Sequence, residues 1–165
     1  MQAELRRLSL DEPRAIYDML QEIPHDENGY LNGGHGRTLA NFPDWLAKCD
    51  RDARGEGLES WQVPQTTYIL YVDGEPVGVC KLRARLTDAL RETGGHAGYA
   101  IRPSRRGRGY GKLLLRLLIE EARTAGLDKL LITVRKRNTP SFCTAMANNG
   151  VVERENEELY YIWVS

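Results

Sequence analysis

The stretch from His96 to Arg135 constrains this chain more than any other part, because HAGYAIR, PSRRGRGYG, KLLLRLLIEEARTAG and KLLITVR follow one another there. The first and last runs carry the β-branched and aromatic residues of strands. The third places Leu113, Leu114, Leu117, Leu118 and Ala122 on one helical stripe. A strand, a helix and a second strand of these lengths predict a right-handed crossover between parallel strands. The connection between the first strand and the helix is unusual. From Ile101 to Lys112 it holds four arginines, a lysine and three glycines, and no acid.

Two kinds of ligand suit such a loop: nucleic acid on a flexible Arg/Gly segment, or a phosphate in an ordered cradle. With 23 basic and 23 acidic residues the chain has zero formal charge, and no aromatic stacking platform alternates with the basic residues. That balance argues against a general nucleic-acid binder. Position argues for the cradle. Free N–H groups and the positive end of the helix dipole converge where a strand passes into a helix, and glycines let the backbone approach an anion. The GxxxxGK[ST] pattern fails, since Arg106 stands at its first glycine and Leu113 at its Ser/Thr, and GxGxxG finds no match.

The whole chain of 165 residues reads as a single domain, 1–165, of the α/β class. A helix is predicted from Asp11 to Gln21, with Pro13 in its first turn and Ala15, Ile16, Met19 and Leu20 on one side. Pro24 to Gly36 is turn-rich and long enough to rim a site. A second helix begins at Phe42 and aligns Trp45, Leu46 and Cys49 with it. TTYILYV and PVGVCKLRARL flank Asp73-Gly74, which predicts an antiparallel hairpin. TDALRETGG reads as a polar link, Pro140 to Asn148 as a short helix, and VVERE and LYYIWV as closing strands. No apolar run predicts a membrane span or secretory signal, so a cytoplasmic protein is expected. The cysteines at 49, 80 and 143 form no CxxC pair and the histidines no ligand spacing, so no metal is expected. Cys143 is taken as a buried, inert thiol.

Arg106-x-x-Gly109-x-Gly111, after a strand ending Ile101-Arg102-Pro103, resembles the acetyl-CoA signature R/Q-x-x-G-x-G/A of the GNAT N-acetyltransferases. Asn138, Ser141 and Asn148-Asn149-Gly150 continue the resemblance, which spans roughly residues 65–165. It implies a mixed, mostly antiparallel sheet of six or seven strands flanked by helices, and acetyl-CoA as cosubstrate. The pyrophosphate would lie on the amides of Gly107, Arg108, Gly109, Tyr110, Gly111 and Lys112, with Arg106 organising the loop and Arg108 or Lys112 adding charge. The pantetheine arm would pair with backbone near Ile101 and Arg102, and Asn138 would reach it from the next strand.

The same resemblance implies direct attack by a primary amine of a small molecule or peptide. It implies neither nucleic acid nor membrane as partner, and a homodimer is compatible with it. The sheet halves of such folds diverge beside the cofactor, so the Pro24–Gly36 loop would close over the acceptor, with Tyr30 in contact. His96 is the candidate base, its ordinary pKa of about 6.5 suiting the task; a strand histidine satisfied by a backbone hydrogen bond is the competing reading. Many relatives carry a proton-donating Tyr on the helix after the Asn, whereas CTAMAN has none, so the general acid is unassigned. An acyl-CoA-binding sensor with weak catalysis is the alternative.

Overall fold

The structure is a computed structural model that describes residues 1–165. Its elements in chain order are β1 (Ala3–Arg7), α1 (Arg14–Glu22), β2 (Asp26–Glu27), β3 (Tyr30–Leu31), α2 (Phe42–Arg54), β4 (Gln65–Val72) and β5 (Glu75–Arg83). There follow α3 (Asp88–Glu92), β6 (Ala97–Ile101), α4 (Tyr110–Thr124), β7 (Leu130–Arg135), α5 (Thr139–Met146), β8 (Val151–Glu155) and β9 (Leu159–Val164). No helix is long and apolar enough to cross a membrane.

Two antiparallel sheets, ordered β1-β4-β5-β6 and β7-β9-β8, stand side by side. The expected hairpin is present: Asp73 and Gly74 take φ of 50° and 82°, the left-handed pair that a two-residue turn matching strand twist requires. Toward their turn, β4 and β5 are apolar on both faces because each face has a helical layer there. On one face Leu114, Leu115, Leu118 and Ala122 of α4 pack with Leu70, Cys80, Ile132 and Ile162, so α4 spans both sheets. On the other, Ile16, Met19 and Leu20 of α1 and Phe42, Trp45 and Leu46 of α2 cover Ile69, Val79 and Ala100.

The helical stripes differ in phase from expectation. In α4 the buried positions are Leu114, Leu115, Leu118, Ile119 and Ala122, with Leu113 and Leu117 on the flank. Five leucines in two turns support two overlapping stripes, and the position of the sheets selects one. In α1 the stripe is Ile16, Met19 and Leu20, continued by Ile23, and Ala15 is exposed. Pro13 caps this helix rather than opening its first turn. Cys143 lies on the outer side of α5 and is exposed, correcting its placement as a buried thiol.

The chain's first residues, and two segments read as loop or link, carry structure. β1 pairs along β4, β2 and β3 form a small hairpin inside the Pro24–Gly36 loop, and α3 lies in TDALRETGG. Two-residue strands and a five-residue helix are too short to show periodicity.

Candidate active site where two strands part

The crossover connects β6 to β7, yet the two strands share no continuous ladder. At their amino ends His96 N–H donates to Leu131 O at 2.8 Å, and Leu131 N–H donates to the His96 side chain, Nδ1, at 2.9 Å. Gly95, just before, takes φ of 60°, and a Cβ there would stand 2.3 Å from Leu131 O. The glycine allows the chains to touch, and the imidazole then takes the place of the next backbone acceptor. Beyond this point the strands separate.

His96 is buried, and its ring lies 5.9 Å from that of Trp163. Burial, then Arg91 and Arg83, pushes its pKa down from 6.5 to about 4. An Nδ1 that accepts from Leu131 requires the neutral tautomer with its hydrogen on Nε2. His96 is not among the residues lining the cleft that opens between the strands; Ala97, Gly98 and Tyr99 are.

The antiparallel register fixes what β6 presents to that cleft. Arg83 N–H bonds His96 O and Arg102 N–H bonds Val77 O, so even-numbered residues of the strand pair with β5. The backbone groups of Ala97, Tyr99 and Ile101 therefore face the opening. Arg102, expected to offer backbone to a pantetheine arm, has its N–H taken by Val77, and its guanidinium bonds Glu22 and Pro76 O. Asn138, at the start of α5, lines the other wall and caps the helix through a 3.3 Å bond from Ser141 N–H.

The basic loop leads directly from β6 into α4. Three of its arginines have protein partners: Arg102 with Glu22, Arg105 with Glu75, and Arg106 with Glu27 at 3.2 Å and with Ile101 O at 2.9 Å. Arg108 and Lys112 are exposed and form no ion pair. Gly109 occupies the N-cap at φ of 80°, no side chain caps the helix and its first turn has no acid. The first intrahelical bond comes from Leu113 to Gly109 O, leaving the amides of Tyr110, Gly111 and Lys112 free to donate outward. Gly111 also lets α4 lie on α5, since a Cβ there would stand 3.3 Å from Thr144 Oγ1.

The loop is held from behind by one carboxylate. Glu22, the last residue of α1, accepts from Ser104 N–H at 2.7 Å and from Arg102 at 3.0 Å. Desolvation works to raise its pKa, and the bonds from Ser104 and Arg102 overcome it, bringing the group down to about 2.

The cleft itself has a volume of about 560 Å³. Tyr30, from β3, forms part of its wall: the ring is buried and sits over Gly98, where a Cβ would meet it at 3.3 Å. Three cleft residues were missed in the sequence. Tyr99 Oη lies 2.8 Å from Ser141 Oγ, joining the two walls. Burial pushes this phenol up to about 12. Lys81 and Arg83 of β5 line the side nearest α2. Strand alternation alone places Lys81 and Arg83 on one face, but only the covering helices and loop make that face an enclosed one.

The residues present fit a CoA-type ligand: free amides and unpaired cations at the loop, and open strand backbone beside it. The chain matches the model of the acetyltransferase (GNAT) family over residues 20–143. No curated protein matches it in sequence. Among solved structures it is similar to the Campylobacter jejuni N-acetyltransferase PseH in complex with acetyl coenzyme A, at 14% identity over 99% of each chain and a TM-score of 0.64. It is also similar to RimL, a ribosomal L7/L12 alpha-N-protein acetyltransferase in complex with coenzyme A, at 15% identity over 100% of this chain and 94% of that one, TM-score 0.69. A GNAT-family acetyltransferase from Streptococcus pneumoniae aligns at 18% identity over 99% and 98% of the two chains, TM-score 0.64. The family match covers most of the chain and the fold agrees from end to end: this protein belongs to the GNAT family of acetyltransferases.

Proposed function

We propose that the protein transfers an acetyl group from acetyl-CoA to a primary amine held between the β2–β3 hairpin and the parting strands. The observation that carries this reading is the uncapped amino end of α4, with Arg108 and Lys112 unpaired, set beside the open backbone of β6. Those amides and cations hold a pyrophosphate, and Asn138 reaches the arm that follows it. The amine nitrogen forms a bond to the thioester carbon, the C–S bond breaks, and its electron pair leaves on sulfur.

The chain's own groups act on three charges in that step. The N–H groups of β6 that face the opening stabilise negative charge as it develops on the carbonyl oxygen. Tyr99 supplies a hydrogen bond to the departing sulfur. With its pKa near 12, above the roughly 8.5 of a thiol, this phenol donates a hydrogen bond without surrendering its proton. The amine must shed a proton as well. His96 is too acidic and too far inside the sheet junction for that work, so the proton passes to water. Burial, then Arg83, lowers the pKa of Lys81 on the cleft wall to about 8. Tyr30 shapes the acceptor side as a fixed wall over Gly98.

Calorimetric titration with CoA, followed by thiol release from acetyl-CoA across a panel of amines, tests the reading. CoA binding with amine-dependent thiol release is expected. Binding accompanied only by slow hydrolysis would instead favour an acyl-CoA sensor.

A further inference from the structure

The charges lining the acceptor side of the cleft do not balance. Its two acids are both paired, Glu27 with Arg106 at 3.2 Å and Asp52 with Lys48 at 2.8 Å. Four cations, Arg37, Lys81, Arg83 and Arg135, also line it, and none has a carboxylate within ion-pair distance. They are partly buried, so solvent screens them less than it would on an open surface.

Lys81 and Arg83 are the most enclosed pair. Lying two residues apart on one face of β5, their Cα atoms are about 7 Å apart. Lys81 Nζ is held over the Tyr30 ring at 4.7 Å and donates to Leu31 O at 2.6 Å. Arg83 Nη1 reaches Gly94 O at 3.1 Å and Gly95 O at 3.2 Å. These neutral acceptors fix both heads in place but leave their charge uncompensated. Bringing like charges together and removing water from them opposes folding. An anion between them would reverse that cost.

Position indicates whose anion it is. Lys81 lies directly across the ladder from Gly98 of β6, and Arg83 bonds to the backbone just before His96, so both stand one strand away from where β6 and β7 part. A molecule whose amine reaches the parting strands therefore passes over Lys81. Glu27 and Asp52, the only carboxylates on this side, are taken by their own partners, so the cleft holds no free acid to attract a polyamine or a lysine-rich peptide.

Building on the transferase reading, we infer that the acceptor is a small amine that also carries an anionic group, carboxylate or phosphate, which Lys81 and Arg83 bind from β5. The amine end then points to the strand opening and the anion to α2. Recognition of the anion also separates the protein's acceptors from the neutral and polycationic amines that other acetyltransferases could take.

The test uses the full chain with acetyl-CoA. Thiol release is measured with the common amino acids, their carboxamides, 2-aminoethyl phosphate, uncharged alkylamines and spermidine. Thermal shift with the same compounds on CoA-saturated protein is a second, non-catalytic readout. At least a tenfold preference in kcat/KM for an acid over its amide is expected, falling below about threefold in Lys81→Met at unchanged CoA affinity. Amino acids leading identifies a carboxylate site, and 2-aminoethyl phosphate leading identifies a phosphate site. Spermidine or an uncharged amine turned over best would overturn the inference.

If no amine is acetylated while CoA binds, the transferase reading fails, and the thermal shift decides the anion site separately. A shift with an amino acid that is lost in Lys81→Met sustains the site, and no shift with any anionic compound overturns it. Should Lys81→Met fail to fold, Arg135→Gln tests the same charge balance from β7.

Discussion

The Nδ1 atom of His96 accepts the backbone hydrogen of Leu131 at 2.9 Å, so a side chain, not a carbonyl, receives this β7 amide where the two sheets meet. The strand opening lies just beyond this bond. A histidine read from sequence as the candidate base thus stands at the junction where β6 and β7 part.

Removing that link should cost stability before it costs chemistry. His96→Ala leaves Leu131 N–H buried without an acceptor, which destabilises by about 1–3 kcal/mol. The folded protein holds its proton only below about pH 4, the unfolded chain below about 6.5. The unfolded state therefore binds more protons in that window, and the contribution of His96 is complete above it and lost as pH falls through it. Melting temperature should drop more steeply between pH 6.5 and 4 in the wild type than in the variant. The kcat/KM per folded molecule should keep its pH profile; loss of about a hundredfold at full folding would return His96 to the role of base.

The loop at the amino end of α4 should fail when its backbone is altered. Gly109→Val places a β-branched residue at φ of 80° and crowds the amides that face outward. CoA affinity is expected to fall at least tenfold while the melting temperature changes by a few degrees. Arg106→Ala should weaken binding less, about threefold, because that side chain ties the loop to Ile101 O and Glu27 rather than facing outward. Calorimetry on both variants ranks them.

Glu22 fastens the same loop from α1. In Glu22→Gln the bonds to Ser104 and Arg102 lose their charge, and CoA affinity should fall by about two- to fivefold without a change in acceptor KM. Its pKa is depressed to about 2, so its contribution is complete above the ordinary carboxylate range and is lost only as pH falls toward 2. The loosening should therefore be absent from wild type at pH 5. Equal CoA affinity in the variant would show that the loop holds its shape without α1.

Tyr99→Phe separates a hydrogen-bond donor from a wall. The variant keeps the ring between the two walls and loses only the hydroxyl that meets Ser141 at 2.8 Å. A fall in kcat of about 10- to 100-fold with unchanged CoA affinity is expected. Activity equal to wild type would show that the departing sulfur needs no hydrogen bond from Tyr99.

By itself the sequence determined whatever depends on neighbours in the chain. The Asp73-Gly74 turn and the strands around it, the passage from β6 through the basic loop into α4, and the amides free at Gly109 to Lys112 all follow from local dihedral preference and from where hydrogen bonds begin in a helix. Residues far apart in the chain needed the tertiary structure. His96 meets Leu131 thirty-five positions on, and Tyr99 meets Ser141 forty-two positions on, only because the crossover lays β7 and α5 beside β6. Whether His96 met solvent or a backbone amide was set by how closely Gly95 approaches Leu131. The burial of Lys81 and Arg83 was likewise set by a hairpin and a helix folded over β5 from the first third of the chain. A side chain's pKa and partners come from the groups that surround it in space, and one strand's alternation tells which face it joins but not what covers that face.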